Sequence, residues 1–188
     1  MGYVRITHVV PGDGGVTRES EENIMAIKNV SNINDNNEVN INRSAIEHRA
    51  TWMGLIYDEA VKAGIDPEPI CRKAIKRCGN MHGNNFKAAC ADPSNVEDFR
   101  KAFLPELGLN TFEMVVTDCD PANLKIDFHY CALVNAWKKL GFDDETCAKL
   151  CDIAMDGDRG IAESMGLKLD LTDTIAKGCP TCKLHFHK

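Results

Sequence analysis

Across residues 111–128 the spacing of apolar side chains changes character, and that change limits the folds open to this chain. Residues 111–117 (T-F-E-M-V-V-T) have the β-branched and aromatic make-up of a strand. Residues 118–123 (D-C-D-P-A-N) carry turn chemistry, and residues 124–128 (L-K-I-D-F) alternate with period two. Such a run predicts a hairpin. A second alternating pair, residues 167–172 and 182–187, flanks a turn at 177–181. The remaining segments have helical period. Ser44 and Glu47 form a capping box that opens a helix ended by Gly64. Asp66-Pro67 starts a second helix that Gly79 stops, with a short helical turn over 84–91. Further helices are predicted over 95–104, 132–140 and 143–156. The order helices, hairpin, helices, hairpin predicts an α+β domain. Its four-stranded antiparallel sheet of two hairpins packs with about five helices on one side.

The 188 residues, 44% of them apolar, suffice for one full core. We expect residues 1–43 to form a disordered N-terminal tail, because a Pro/Gly-rich run and an asparagine-rich run there have no period. Met25 is a candidate start, with residues 1–24 an extension. Residues 44–188 are then the single α+β domain. A net charge of −6 with no basic stripe argues against nucleic acid as a partner. No apolar run approaches the ~18 residues of a membrane span, and no secretory h-region is recognisable. Nine cysteines, an odd number, without a secretory signal are expected to be reduced thiols in the cytoplasm. The expected partner is a small-molecule substrate. The cofactor and any metal are unknown from sequence, and oligomerisation stays open.

Soft and acidic side chains crowd the last sixty residues. Cys131 stands where a strand meets a helix, a position whose dipole and free N–H groups favour thiolate. His129, two residues earlier, is a candidate activating partner. The bland alternative is a buried small hydrophobe. Cys147 and Cys151 are one turn apart, as are Asp152 and Asp156; we assign Cys147 to the core, and Asp156 and Asp158 to a turn around Gly157 and Gly160. Asp152, beside a core-facing thiol, needs a partner, and is a candidate base or amine anchor. C-P-T-C at 179–182 falls in a turn between strands, a poor context for a redox pair, with Cys182 inward and Cys179 outward. His185 and His187 share one face of the last strand and are expected to face water. Trp52 and Trp137 are expected in the core, and His48 on the surface.

Several stretches together carry a resemblance. H-R-A-T-W-M-G-L-I-Y-D-E-A with R-C-G-N-M-H-G, then H-Y-C-A-L-V-N-A-W-K-K-L-G, then L-C-D-I-A-M-D-G-D-R-G, then L-T-D-T-I-A-K-G-C-P-T-C-K-L-H-F run in order over about three quarters of the chain. From Ile46 onward the chain resembles the L-2-amino-thiazoline-4-carboxylic acid hydrolase family. That family is named for opening the aminothiazoline ring to N-carbamoyl-cysteine. The resemblance implies polar site positions at Cys131, Cys151, Asp152, Thr174 and Cys182. Ala132 stands where proline often follows the cysteine, and Lys183 where an acidic residue often follows the last one.

The expected activity is therefore hydrolysis at a carbon–nitrogen bond of a small cyclic amidine. Cys131 is the candidate nucleophile or metal ligand, Cys151 its neighbour, Asp152 the base and His129 the activator. Arg159, Thr174 and Cys182 are candidates for holding substrate. Alternatives from other classes are a non-catalytic small-molecule or metal module, with copper(I) or zinc on Cys131, Cys151 and Cys182, and a thiol redox protein using C-P-T-C.

Overall fold

In the computed structural model, which describes residues 26–188, seven α-helices accompany a four-stranded antiparallel sheet, so the fold is α+β. Residues 1–25, with the candidate start Met25, lie outside the described residues. The helices are α1 (Asn37–Lys62), α2 (Glu68–Ala89), α3 (Val96–Phe103), α4 (Glu106–Phe112), α5 (Ala132–Lys139), α6 (Asp144–Ala154) and α7 (Asp156–Met165). The strands are β1 (Met114–Asp120), β2 (Asn123–Phe128), β3 (Lys168–Leu171) and β4 (Cys182–His187), in the order β1-β2-β4-β3. β1 and β2 form the expected hairpin, turning at Pro121-Ala122. β3 and β4 are also antiparallel neighbours, joined through a 3-10 turn at Ile175–Lys177.

Alternation on the strands separates the two sheet faces. Leu124, Ile126, Leu184 and Phe186 point inward and pack against Val96, Phe99, Ile161 and Met165. Phe99 sits edge-on to Phe186 at 5.3 Å between ring centres. Lys125 and Lys183 point outward. A second cluster joins α1, α5 and α6 through Ala50, Val134, Trp137, Leu150 and Cys151. Trp137 is fully buried, with its indole N–H donating to the Ala50 carbonyl at 3.0 Å. Trp52, expected in the core, is instead 62% exposed, because the buried stripe of α1 runs through Ile46, Ala50 and Gly54.

Two other expectations fail for one reason each. Gly79 does not stop α2, which runs on to Ala89. Gly79 and Gly83 are contact residues: a Cβ at Gly79 would collide with the Gly157 carbonyl, and one at Gly83 would come 2.9 Å from Ile161 Cα. The partner helix α7 was not expected at all, since its Gly157 and Gly160 read as turn formers. Gly160 must likewise lack a Cβ, which would lie 2.5 Å from the Lys76 carbonyl oxygen. The two backbones approach closely only where these side chains are absent. Salt bridges extend the contact: Arg72 reaches Asp152 at 2.5 Å and Asp156 at 3.0 Å.

The capping box at Ser44 is likewise not a helix start. α1 begins earlier, with Asn36 Oδ1 accepting from the Val39 N–H, so residues 26–43 are not a disordered tail. Their anchor is Glu113, held in the left-handed region (φ 50) just before β1. Its carboxylate accepts from the Ser31 hydroxyl, the Asn32 N–H and side-chain amide, and the Ile33 N–H at 2.7–3.0 Å. Arg43, almost fully buried, pairs with it at 3.0 Å and lies over the Tyr130 ring. Burial alone would raise the Glu113 carboxyl, but these donors outweigh it and hold the pKa at about 2.

Two stability measurements check this account. Gly79→Ala should cost about 2–3 kcal/mol in urea unfolding, as overpacking against rigid backbone does. Gly108→Ala, whose Cβ would make only ordinary 3.5 Å contacts with Pro105, should be neutral or gain up to about 1 kcal/mol. Because the folded Glu113 pKa lies below the unfolded value, its contribution is full above about pH 4.5 and is lost as pH falls toward 2. Glu113→Gln should therefore cost about 3 kcal/mol at pH 6, a gap that closes as the wild type is acidified.

Candidate functional site

The thiols meet at the seam between the two apolar clusters. Tyr130 is buried under Arg43, and the chain then turns into α5 with Cys131 as its N-cap residue. Cys131 packs against both clusters, as do Ile27 and Met155. Cys151, on α6, belongs to one cluster and Cys182, opening β4, to the other. The three sulfurs are near enough that charge on Cys131 would be felt by Cys151 and by Cys182. The Cys131 backbone is clamped by Asn29: the Cys131 N–H donates to Asn29 Oδ1 at 2.9 Å, and the Asn29 amide returns a bond to the Cys131 carbonyl at 2.8 Å. The segment expected to be a tail thus forms part of this wall.

Electrostatics reverse the expectation for Cys131. The N–H groups of Leu133 and Val134 at the head of α5, together with Arg49, do favour its thiolate. Burial is nevertheless the largest influence and pushes the thiol above its ordinary value. Burial also raises Cys182 to about 12 and Cys151 well above normal. The resting sulfurs are thiols at neutral pH, and any nucleophile here needs a base.

That base is not supplied where the sequence pointed. Asp152 is bound by Arg159 at 2.8 Å and by Arg72 at 2.5 Å. Burial tends to raise its pKa, but the two guanidinium groups hold it below the usual carboxylate range. Arg159 is spent in the same network, pairing also with Asp156 at 2.7 Å. Asp152 and Arg159 therefore lock the corner between α6 and α7 onto α2. His129 is exposed and lines a separate groove with Glu113 and Met114, since β-alternation turns Tyr130 inward and His129 out. Cys147 is core, as expected, with its thiol raised by burial to about 11.

The carboxylate whose charge reaches the thiols is Asp158, in the first turn of α7. It acts electrostatically on both Cys131 and Cys182. Burial lifts its pKa to about 6, against the opposing pull of Arg49 and Arg159. Arg49, exposed on α1, is the cation closest in effect to both Cys131 and Asp158. Thr174 is buried, and its hydroxyl oxygen has no hydrogen-bond partner among the described residues. The adjacent Ile175 N–H donates to the Cys182 sulfur at 3.2 Å. The arrangement offers a sulfur nucleophile, a carboxyl group poised near neutrality, a cation and an uncommitted hydroxyl. Asp158 and Arg49 were missed in the sequence. The available signal was that Ile161, Ala162 and Met165 follow Asp158 at helical spacing, with the acid heading their buried face.

Cys131, Cys151 and Cys182 do not form a metal-ligand trio. Among the described residues, the group whose ligand atoms lie within 4.8 Å of one another is Asp170, His185 and His187, elsewhere in the fold. All nine cysteines are free. Cys182 is buried as expected and Cys179 only partly so, so C-P-T-C does not present two accessible thiols.

A family model described as L-2-amino-thiazoline-4-carboxylic acid hydrolase matches residues 43–186. No curated protein matches the sequence. A solved structure with the same fold is that of a trafficking protein particle complex subunit 3 from Naegleria fowleri, covalently bound to palmitic acid. It is 14% identical, with a TM-score of 0.51, over 79% of this chain and 95% of that one. No helix among the described residues is long and apolar enough to cross a membrane.

Asp158 provides the sharpest check. A carboxyl whose folded pKa is raised destabilises the fold as pH climbs from its unfolded value near 3.8 through about 6. Asp158→Asn should therefore be more stable than wild type at pH 7.5, by about 1–3 kcal/mol, with no gain at pH 4. Urea unfolding at the two pH values measures it.

Proposed function

Because the chain belongs to the L-2-amino-thiazoline-4-carboxylic acid hydrolase family, we propose that it hydrolyses a small cyclic amidine such as L-2-amino-thiazoline-4-carboxylate. The observation that carries this reading is the electrostatic reach of Asp158 to the Cys131 thiol, together with a carboxyl pKa of about 6 that suits a base at neutral pH. The product N-carbamoyl-cysteine keeps both nitrogens on the former ring carbon. Attack is therefore on the amidine C=N, but the bond that breaks is the ring C–S bond, not a C–N bond.

Asp158 takes the Cys131 proton as the sulfur adds to the amidine carbon. The ring sulfur then leaves as a thiol, taking up a proton, and an S-linked isothiourea remains on Cys131. Water adds to that carbon and Cys131 departs, which leaves N-carbamoyl-cysteine and restores the thiol. The N–H groups of Leu133 and Val134 steady negative charge on the Cys131 sulfur. Arg49 is the candidate anchor for the substrate carboxylate and the Thr174 hydroxyl a candidate bond to an amidine nitrogen. Asp152 and Arg159 serve as structure. The nine free thiols suit a reducing compartment such as the cytoplasm.

A second reading is covalent binding without turnover. It is favoured by Cys131 lying between two apolar clusters, beside Ile27 and Met155, and by the palmitic acid held covalently in the structural neighbour. Assay with L-2-amino-thiazoline-4-carboxylate separates the two. Hydrolysis should appear with activity rising through about pH 6, as Asp158 ionises. Cys131→Ala and Asp158→Asn should each lower kcat/KM by at least about a hundredfold. No turnover, with a hydroxylamine-sensitive mass adduct on Cys131, would support the binding reading instead.

A further inference from the structure

We infer that the solvent face of the sheet carries a transition-metal site, made by Asp170 on β3 with His185 and His187 on β4, for a divalent ion of the Zn2+ class. The site is separate from the thiol seam, because inward and outward residues alternate on β4: Cys182, Leu184 and Phe186 are buried while Lys183, His185 and His187 are not. Asp170 is directly opposite His185 in the antiparallel register. The two imidazoles follow one another on the same face, 4.7 Å apart between ring centres. One ligand atom from each of the three residues lies within 4.8 Å of the others. Two imidazole nitrogens and one carboxylate oxygen are donors that suit Zn2+ and its neighbours better than Mg2+ or Ca2+.

The surrounding hydrogen bonds decide which nitrogens are available. Asn123 Nδ2 donates to both Asp120 carboxylate oxygens, at 3.2 and 3.1 Å, so Asn123 Oδ1 is an acceptor. His185 Nε2 lies 3.0 Å from that oxygen and must therefore carry the proton. This fixes the tautomer and leaves the His185 Nδ1 lone pair free. His187 faces an acceptor on each side: the Lys188 main-chain oxygen lies 3.0 Å from Nδ1, and Asp170 Oδ2 lies 3.1 Å from Nε2. A neutral imidazole has one N–H for these two acceptors. A cation between Nε2 and Asp170 removes the conflict, with Nδ1–H donating to the main chain. A metal-bound histidine is typically oriented by such an outer hydrogen bond, and both rings here have one.

Three protein ligands leave coordination positions for water or a small anion. They open beside a groove lined by Lys125, Thr172 and Lys183. The site needs nothing from Cys131 or Asp158, so it stands or falls independently of the proposed hydrolysis.

The test is Zn2+ binding by calorimetry on the reduced full chain at pH 7.5, with Co2+ absorption as the spectroscopic readout. Wild type should take up one ion at this site, and Cys131→Ser should retain it. His185→Gln, His187→Gln and Asp170→Asn should each weaken it by more than about tenfold, and Asn123→Ala, which only orients His185, by roughly tenfold. The Co2+ complex should lack sulfur charge-transfer absorption. All four positions are on the solvent face, and circular dichroism verifies that each variant is folded. Failure of wild type to bind at millimolar Zn2+ would overturn the proposal. So would uptake unchanged in the His185→Gln/His187→Gln double variant, or a Co2+ spectrum dominated by sulfur.

Discussion

The near-contact of two helix backbones, α2 on α7, underlies the placement of Asp158 and of the ion cluster beside it. Gly79 and Gly83 on one side and Gly160 on the other bring the opposite helix so close that a Cβ at any of them would collide with it. With the backbones that close, α7 has little freedom to slide or rotate, and Asp158 in its first turn is committed to face the thiols. The ion cluster of Arg72, Asp152, Asp156 and Arg159 fastens the same corner from the solvent side. Individually such half-exposed pairs are weak. Here they share guanidinium groups, and their geometric effect is to fix how α6 turns into α7.

At the site itself two physical effects compete for one sulfur. A helix N-terminus and a nearby arginine favour thiolate, and a crowded, largely apolar seam disfavours it. Desolvation wins because the N–H groups are partial charges, whereas burial withdraws a full charge from water. The same crowding lifts the neighbouring carboxyl toward neutrality. One environment thus quietens the nucleophile and creates a group able to wake it, at the cost of carrying a buried acid that weakens the fold at neutral pH.

The sheet was legible in the sequence because alternation is a local signal. Leu124, Ile126, Leu184 and Phe186 announce their inward face without reference to anything distant. What was lost depended on contacts far apart along the chain. Gly79 read as a helix stop because its reason for being glycine lies on α7. Asp152 looked like a catalytic base or amine anchor because Arg72, eighty residues earlier, is invisible from its neighbourhood. Cys131, Cys151 and Cys182 were read as neighbours, while Asp158 was mistaken for a turn residue between two glycines. The asparagine-rich stretch lacks any period, yet Asn29, Ser31 and Asn32 are ordered by a single carboxylate and a single backbone clamp. Polar anchoring of that kind leaves no hydrophobic pattern to read.

The strap over residues 26–36 lies upstream of the region matched by the family model, which begins at residue 43. It behaves as a ligand bound in cis. Its docking sites, the Glu113 carboxylate and the Cys131 main chain, lie 80 and 102 residues away in sequence. Covalent connection through α1 supplies it at a high effective concentration, so weak polar bonds suffice to keep it seated. Cleaved within that span, the same segment would have to find its groove by diffusion, and a handful of hydrogen bonds would no longer hold it there. The wall beside Cys131 therefore owes its closure to chain continuity as much as to complementarity.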